Sequence, residues 1–286
     1  MPEQKSLVVF ITGCSSGIGR ALAEEFARQG HQVIATARRV ETLASLQAQG
    51  MHVLPLDVTD DASIAAAVTQ ALEEAGRIDM LINNAGFGLM GPVVELASDD
   101  LRRQLNTNVV GPVAMARALV PGMVAQGGGV IVNVGSVSGI LSTPFAGAYC
   151  ASKAALHALS DAMRVELAPL NVKVITLQPG GIVSRFGDNA AQALEDSLKP
   201  DSLFTDLVPF MRQRAQAGQE GAMSADEFAR KVVAELTSDN PPIQLRIGTQ
   251  SVRLPLTKWL LPQAMIDRVV SKKFGLDRWR KSQSAG

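Results

Sequence analysis

A short apolar run that ends in a glycine-rich turn and passes straight into a helical pattern constrains this chain more than any other feature. Residues 7–12 read Leu-Val-Val-Phe-Ile-Thr, with strand character, and Gly13-Cys14-Ser15-Ser16-Gly17-Ile18-Gly19 follows at once. Ile18, Leu22 and Phe26 then recur at helical spacing, and Gly30 supplies the stop. Three glycines between a buried strand and a helix let backbone N–H groups and the helix N-terminus approach a pyrophosphate. Gly13, Ser15, Ser16, Gly17, Ile18 and Gly19 are therefore candidate dinucleotide-binding residues, in a Gly-x-x-x-Gly-x-Gly spacing rather than the commoner Gly-x-Gly-x-x-Gly. The plainer alternative is that the glycines only punctuate a turn.

The strand-then-helix pattern recurs along the chain. Strands are expected at Gln32–Ala37, 51–58, 78–83, 130–134 and 173–177, with a further one near 243–248. Helices are expected at 40–49, Asp61–Ala75, Ser98–Ala125 and 149–167, the third bent at Gly111-Pro112 and the last ended by Pro169. Such alternation predicts an α/β fold, a doubly wound parallel sheet with helices on both faces and ligands beyond the carboxyl ends of the strands. We divide the chain into a main domain over 1–250, with a lid over about 184–224, and a basic amphipathic extension over 251–286.

Composition agrees with one domain of some size: 286 residues, 47% hydrophobic, 19% charged, net charge zero. Cys14 and Cys150 are too few for a disulfide framework and suggest a reducing, cytoplasmic setting. His31, His52 and His157 have no metal-ligand spacing, so no metal site is expected, and His157 reads as packing or a subunit contact. The N-terminus enters the first strand without a secretory signal, and no run of 18 apolar residues is present to span a bilayer.

The one tyrosine of the chain, Tyr149, stands four residues before Lys153. On a helix that spacing puts phenol and ammonium on one face, one turn apart. A fixed positive charge favours the phenolate, and the expectation is a phenol pKa below its usual ~10. Tyr149 is thus a candidate general acid/base, its alternative being the cap of a packed helix.

Thr12-Gly13-x-x-x-Gly17-x-Gly19, Asn83-Asn84-Ala85-Gly86, Ser136 and Tyr149-x-x-x-Lys153 stand in an order and spacing that resembles the short-chain dehydrogenase/reductase family, over about residues 5–185. The wording of these motifs is most similar to the hydroxysteroid and retinol dehydrogenase branch. The resemblance implies a Rossmann-type fold and a catalytic set of Asn108, Ser136, Tyr149 and Lys153. In that set Tyr149 moves the proton, Lys153 lowers its pKa and bonds the nicotinamide ribose, Ser136 donates to the substrate oxygen, and Asn108 holds a water that links the lysine to solvent. Asn106 is the competing assignment for the last role. The same resemblance implies that Asp57, with Val58, holds the adenine and that Asn84, Ala85 and Gly86 close against the cofactor, while Asn83 reads as structural. It also implies that Pro179, Gly180, Ile182 and Ser184 fix the carboxamide. Ser184 stands for the usual threonine, and Gly135 stands where many relatives carry a second serine.

Cofactor choice is argued from the end of the second strand. Ala37 occupies the position where NAD-using relatives carry Asp, and Arg38 follows it. An acidic group there would repel the extra phosphate of NADP, whereas a guanidinium binds phosphate well, so NADP(H) is expected over NAD(H).

The lid carries Phe186, Leu194, Leu198, Leu203, Phe204, Leu207, Val208, Phe210 and Met211, with Phe87, Met90 and Phe145 expected near the pocket mouth. That content points to a small lipophilic alcohol or ketone, unless it only covers the core. From Arg253 onward eight Lys or Arg stand against Asp267 and Asp277, together with both tryptophans, Trp259 and Trp279. This reads either as a segment lying on an anionic membrane surface or as a tail packed over the pocket or a neighbouring subunit. Nucleic-acid binding is not expected, because the basic cluster lacks a recognisable module; a homo-oligomer is. Three functions stay open: an NADP(H)-dependent hydroxy/keto oxidoreductase for steroid-, retinoid- or other lipid-like substrates, a reductase of acyl chains held on a carrier protein, and a non-catalytic NADP(H)-sensing protein.

Overall fold

The structure is a computed structural model that describes residues 6–283. Residues 1–5 and 284–286, where the expected main domain begins and the basic extension ends, lie outside the described residues.

Seven strands, β1 (Val8–Ile11), β2 (Gln32–Ala37), β3 (His52–Pro55), β4 (Met80–Asn83), β5 (Gly129–Val134), β6 (Val172–Leu177) and β7 (Gln244–Leu245), form one sheet in the order β3-β2-β1-β4-β5-β6-β7. Every pairing is parallel. A parallel sheet covered on both faces needs strands that are apolar throughout, which is why β1 reads as an unbroken hydrophobic run. Its side chains alternate: Val9 and Ile11 enter one core, Val8 and Phe10 the other.

The helices before β6 are α1 (Gly17–Arg28), α2 (Ala44–Gln47), α3 (Asp61–Ala75), α4 (Ser98–Leu105), α5 (Gly111–Ala125) and α6 (Gly147–Leu167). After β6 come α7 (Phe186–Ser197), α8 (Val208–Gln216) and α9 (Ala225–Leu236), and after β7 come α10 (Arg253–Leu260), α11 (Gln263–Lys273) and α12 (Leu276–Gln283). Leu22 and Phe26 of α1 join Phe228, Val232 and Val233 of α9 on the Val9/Ile11 face. Ile64 and Val68 of α3, with Met115 and Leu119 of α5, fill the opposite face. Each such side chain contributes about 1.5–3 kcal/mol when fully buried. The stretch Ser98–Ala125 is long and apolar enough to cross a membrane, but its Met115, Leu119 and Met123 are buried against the sheet, as in a core helix.

Three local expectations change. The segment 40–49 is not one helix but a 3-10 turn (Val40–Leu43) followed by α2. The third strand is four residues, not eight, because the chain turns after Pro55 to carry Asp57, whose Oδ1 accepts from the backbone N and Oγ1 of Thr59 at 2.9 and 2.7 Å. The helix over Ser98–Ala125 widens into a π-turn at Asn106–Val110, ahead of the expected bend. Pro112 has no N–H to offer the Asn108 carbonyl four residues earlier, so the helical ladder must change there.

A third apolar cluster lies apart from the sheet. Leu194 of α7, Leu207 and Met211 of the lid and Phe274 of the tail pack with Met90, Phe145 and Cys150. Phe145 meets Phe274 edge-on at 6.2 Å between centroids, and Phe204 stacks on Trp279 at 5.4 Å.

Candidate active site

The order of the sheet reverses between β1 and β4, and the loops leaving these two strands part there to open a crevice. Thr12 and Asn84 hold its two lips together. Thr12 Oγ1 accepts from the backbone N of Asn84 and Ala85 at 3.0 and 2.9 Å, and Asn84 Nδ2 donates to the carbonyls of Thr12 and Gly13. Gly13 takes φ +75°, and a Cβ there would come within 2.8 Å of the Ala85 Cα, so only glycine fits between the lips. Ser16 precedes α1 without capping it, leaving the first-turn N–H groups of the helix to the crevice.

Gly13, Ser15, Ser16, Gly17 and Ile18 line this wall, with Arg38, Asp57 and Val58 at one end and Asn84, Ala85 and Gly86 facing them. Pro179, Gly180, Ile182 and Ser184 line the far side, and Ser184 sits over the turn, its Cβ 3.0 Å from where a side chain on Gly17 would begin. The bonds from Thr59, and the charge of Arg38, hold the Asp57 carboxyl below its usual range. A helix N-terminus free of side-chain caps, a turn that excludes Cβ atoms and a fixed carboxylate suit a dinucleotide with a pyrophosphate at its centre. Gly19 departs from its expected place: it lies behind the turn, where a Cβ would strike the Asn84 side chain and the Gly13 carbonyl 2.5 Å away, so it packs helix against loop.

The crevice continues into a second lobe, making one cleft of about 1530 Å³, larger than the ~300–1,000 Å³ of a typical small-ligand site. Tyr149 and Lys153 from α6 and Ser136 from the end of β5 meet at the junction. The Ser136 hydroxyl stands near enough to the Tyr149 phenol to favour its ionised form, and it accepts from the Ser138 backbone N at 3.0 Å. Lys153 Nζ donates to the Val134 carbonyl at 2.7 Å and lies 5.9 Å from the centre of the Tyr149 ring. Burial lowers the Lys153 pKa to about 8.

The expected depression of the phenol does not hold here. Burial raises the Tyr149 pKa above its usual value, and the nearby Ser136 hydroxyl and the Arg214 charge offset only part of that. Lys153, committed to a backbone carbonyl and itself desolvated, does not reverse the balance.

Asn108, in the π-turn, is buried behind the cleft rather than on its wall. Its Nδ2 donates to the Phe87 carbonyl and to Ser152 Oγ, both at 3.0 Å, and its Oδ1 accepts from the Phe87 backbone N at 3.2 Å. Asn106, the alternative, does line the cleft. Asn83 has a structural place: its Nδ2 donates to the Pro112 carbonyl and Asn133 Oδ1, tying β4 to α5 and β5.

Further residues complete the site: His157, expected only as packing or a subunit contact, Phe186 of the lid, and Arg214 with Thr143, which nothing in the sequence singled out. His157 Nε2 accepts from the Ser136 backbone N at 3.3 Å, and burial together with the Lys153 charge pushes its pKa down to about 4, keeping the ring neutral. Its ring fills the space a Cβ on Gly135 or Gly139 would need. In the second lobe, Arg214 of α8 donates from Nε to Thr143 Oγ1 at 2.6 Å. Phe186 packs on Tyr149 at 5.2 Å between ring centres.

Met90 and Phe145, expected at the mouth, are instead buried in the lid core, as are Leu194, Leu207 and Met211. Phe87 does line the cleft as expected, and further apolar lining comes from Phe186 and the tail residues Leu254, Leu261, Val269, Val270 and Phe274. The extension is therefore three helices, of which α11 and α12 pack inward, rather than a single surface segment.

Residues 7–195 match the family model described as short chain dehydrogenase. The chain is 38% identical over 84% of its length, and 87% of the other, to 3-ketodihydrosphingosine reductase of Bacteroides thetaiotaomicron. It is 35% identical to human 17-beta-hydroxysteroid dehydrogenase type 1, covering 89% of this chain and 80% of that one. Among solved structures, a short-chain dehydrogenase from Streptomyces avermitilis superposes with a TM-score of 0.79 at 32% identity over 99% of both chains. One from Burkholderia phymatum in complex with NAD gives 0.75 at 29% identity, over 85% of this chain and 90% of that one. A serine dehydrogenase complexed with NADP+ gives 0.74 at 27% identity, over 85% and 95%.

Proposed function

The chain belongs to the short-chain dehydrogenase/reductase family and is an oxidoreductase acting on CH–OH groups; on that premise we propose that it reduces a carbonyl on a lipophilic substrate, with NADP(H) preferred and Tyr149 as proton donor. A bound nicotinamide supplies the hydride. The chain's own residues do the rest. The Ser136 hydroxyl and the Tyr149 phenol, side by side on the cleft, each donate their one proton to the substrate oxygen and hold its carbon toward the crevice. As negative charge grows on that oxygen, Tyr149 gives up its proton, and Lys153 stands beside the phenolate left behind. Burial keeps the phenol protonated at neutral pH, which is the form a reduction consumes.

The observation that carries this reading is the Ser136–Tyr149 pair at the point where the dinucleotide crevice opens into an apolar lobe. Arg38 and Ala37 at the crevice end, with no carboxylate from β2, support NADP(H). The apolar lobe favours lipid-like substrates, and two relatives named for a sphingoid ketone and a steroid agree with it. The hydroxysteroid branch is the finer assignment we favour on the wording of the motifs. The test is the oxidation of NADPH against NADH with a panel of long-chain and polycyclic ketones. The reading expects kcat/KM with NADPH to lead by at least about tenfold; a lead for NADH refutes the cofactor choice.

The tail supports contact with an anionic lipid surface. Trp259 is 81% exposed, Val269 63% and Leu260 59%, with Arg253, Lys258, Arg268 and Lys272 exposed around them. The same helices rim the cleft, so a bilayer there would meet its mouth. Co-sedimentation with phosphatidylserine vesicles should weaken on Trp259→Ser with Lys258→Glu; equal sedimentation of both proteins counts against the membrane.

A further inference from the structure

Two arginines stand two residues apart on α8 and meet different ends. Arg212 is exposed and forks onto Glu195 at 2.6 and 2.8 Å. Arg214 is half-buried, turns into the substrate lobe, and forms no ion pair among the described residues. Its Nε bond to Thr143, on the loop that leads into α6, is the only hydrogen bond its guanidinium makes among them, so Nη1 and Nη2 are left to the cleft. Asp196 and Glu220, also on the cleft, are not paired with it.

A half-desolvated guanidinium without a counter-charge is unfavourable in the resting fold. Toward a neutral ketone it offers N–H donors but leaves its charge uncompensated. Toward a carboxylate or phosphate it offers two parallel N–H donors in a fixed fork, already oriented by Thr143. It also stands within electrostatic reach of the reacting phenol, since its charge acts on Tyr149. The anion it would hold therefore shares one cleft with the carbonyl being reduced, a cleft also lined by Phe186, Leu254, Val270 and Phe274.

Resting on the assignment of carbonyl chemistry to Tyr149 and Ser136, we propose that Arg214 determines specificity, selecting an amphiphilic ketone whose carboxylate or phosphate group sits on the guanidinium while its hydrocarbon chain occupies the apolar lobe.

The test uses the full-length protein and two matched pairs of probes: a long-chain oxo acid against its methyl ester, and a long-chain keto phosphate against the corresponding keto alcohol. Wild-type kcat/KM should favour the anion in at least one pair by about 10- to 100-fold, carried mainly by KM, the pair so favoured identifying the head group. Arg214→Met should collapse that ratio toward one, and Arg214→Lys should restore part of it. A merely structural arginine would lower both members of a pair together and leave the ratio intact. Wild-type protein that treats both members alike or turns over none of the four overturns the proposal, as does a ratio unmoved by Arg214→Met. Tyr149→Phe separates the two readings: turnover that survives it sinks the carbonyl-reduction reading, whereas turnover that needs Tyr149 but ignores the anion sinks only the role of Arg214.

Discussion

At the scale of single residues, the site rests on buried polar groups whose charge states burial decides. Lys153 has a folded pKa near 8 against its usual 10.5. Below about pH 8 it is protonated in both folded and unfolded chains, and the cost of burying its charge is fully present. Between 8 and 10.5 the unfolded chain binds the extra proton, so stability rises with pH. Denaturant unfolding of wild type and Lys153→Met should therefore show wild type gaining about 1–3 kcal/mol on the variant across that window; a constant difference would mean the lysine is not desolvated. Gly135 and His157 form a second such unit, because the imidazole fills the volume a Gly135 side chain would take while holding the Ser136 backbone. Gly135→Ala should lower stability by about 1–3 kcal/mol, and adding His157→Ala should make the two changes non-additive. Strict additivity would contradict the contact. Gly135 was legible in the sequence only as a departure from the second serine of many relatives; its cause, a ring 22 residues later, is a matter of packing.

At the scale of elements, local signals fared best where propensity and tertiary contacts agree. The strand Gln32–Ala37 and the helix Asp61–Ala75 stand at their expected bounds. The latter is fixed by the Asp60 side chain accepting from the Ala62 N at one end and Gly76 at φ +73° at the other. The π-turn escaped because a Pro inside an apolar helical pattern says that the ladder changes, not how. The lid was legible as a region of weak periodicity, but not its partner. Apart from Phe186, which faces the cleft, and the exposed Leu203, its apolar residues build a core with the tail, which is a long-range contact no short window contains. Phe274→Ala should consequently cost about 3–5 kcal/mol in the lid and tail. Limited proteolysis should then open 186–216 before the sheet, with KM for the ketone raised and NADPH affinity little changed; a variant that melts as one unit with unaltered lid protection would contradict the separate core.

At the scale of the whole molecule, the parallel sheet and the crevice, though not the strand order, followed from alternating apolar runs and the turn after β1, because a buried parallel sheet leaves few ways to connect them. The substrate lobe did not, since it is assembled from α7, α8 and the tail, and nothing in the spacing of Arg212 and Arg214 says which one faces inward. Nor could the helical spacing of Tyr149 and Lys153 reveal that burial would outweigh the ammonium and leave the phenol protonated. The account as a whole stands on that phenol delivering its proton to a ketone held by Ser136. Tyr149→Phe removes one hydroxyl and nothing else, so its effect reads the claim directly. Single-turnover reduction should fall by at least about 100-fold while NADPH binds within about threefold of wild type. Reduction that persists at a comparable rate would contradict it.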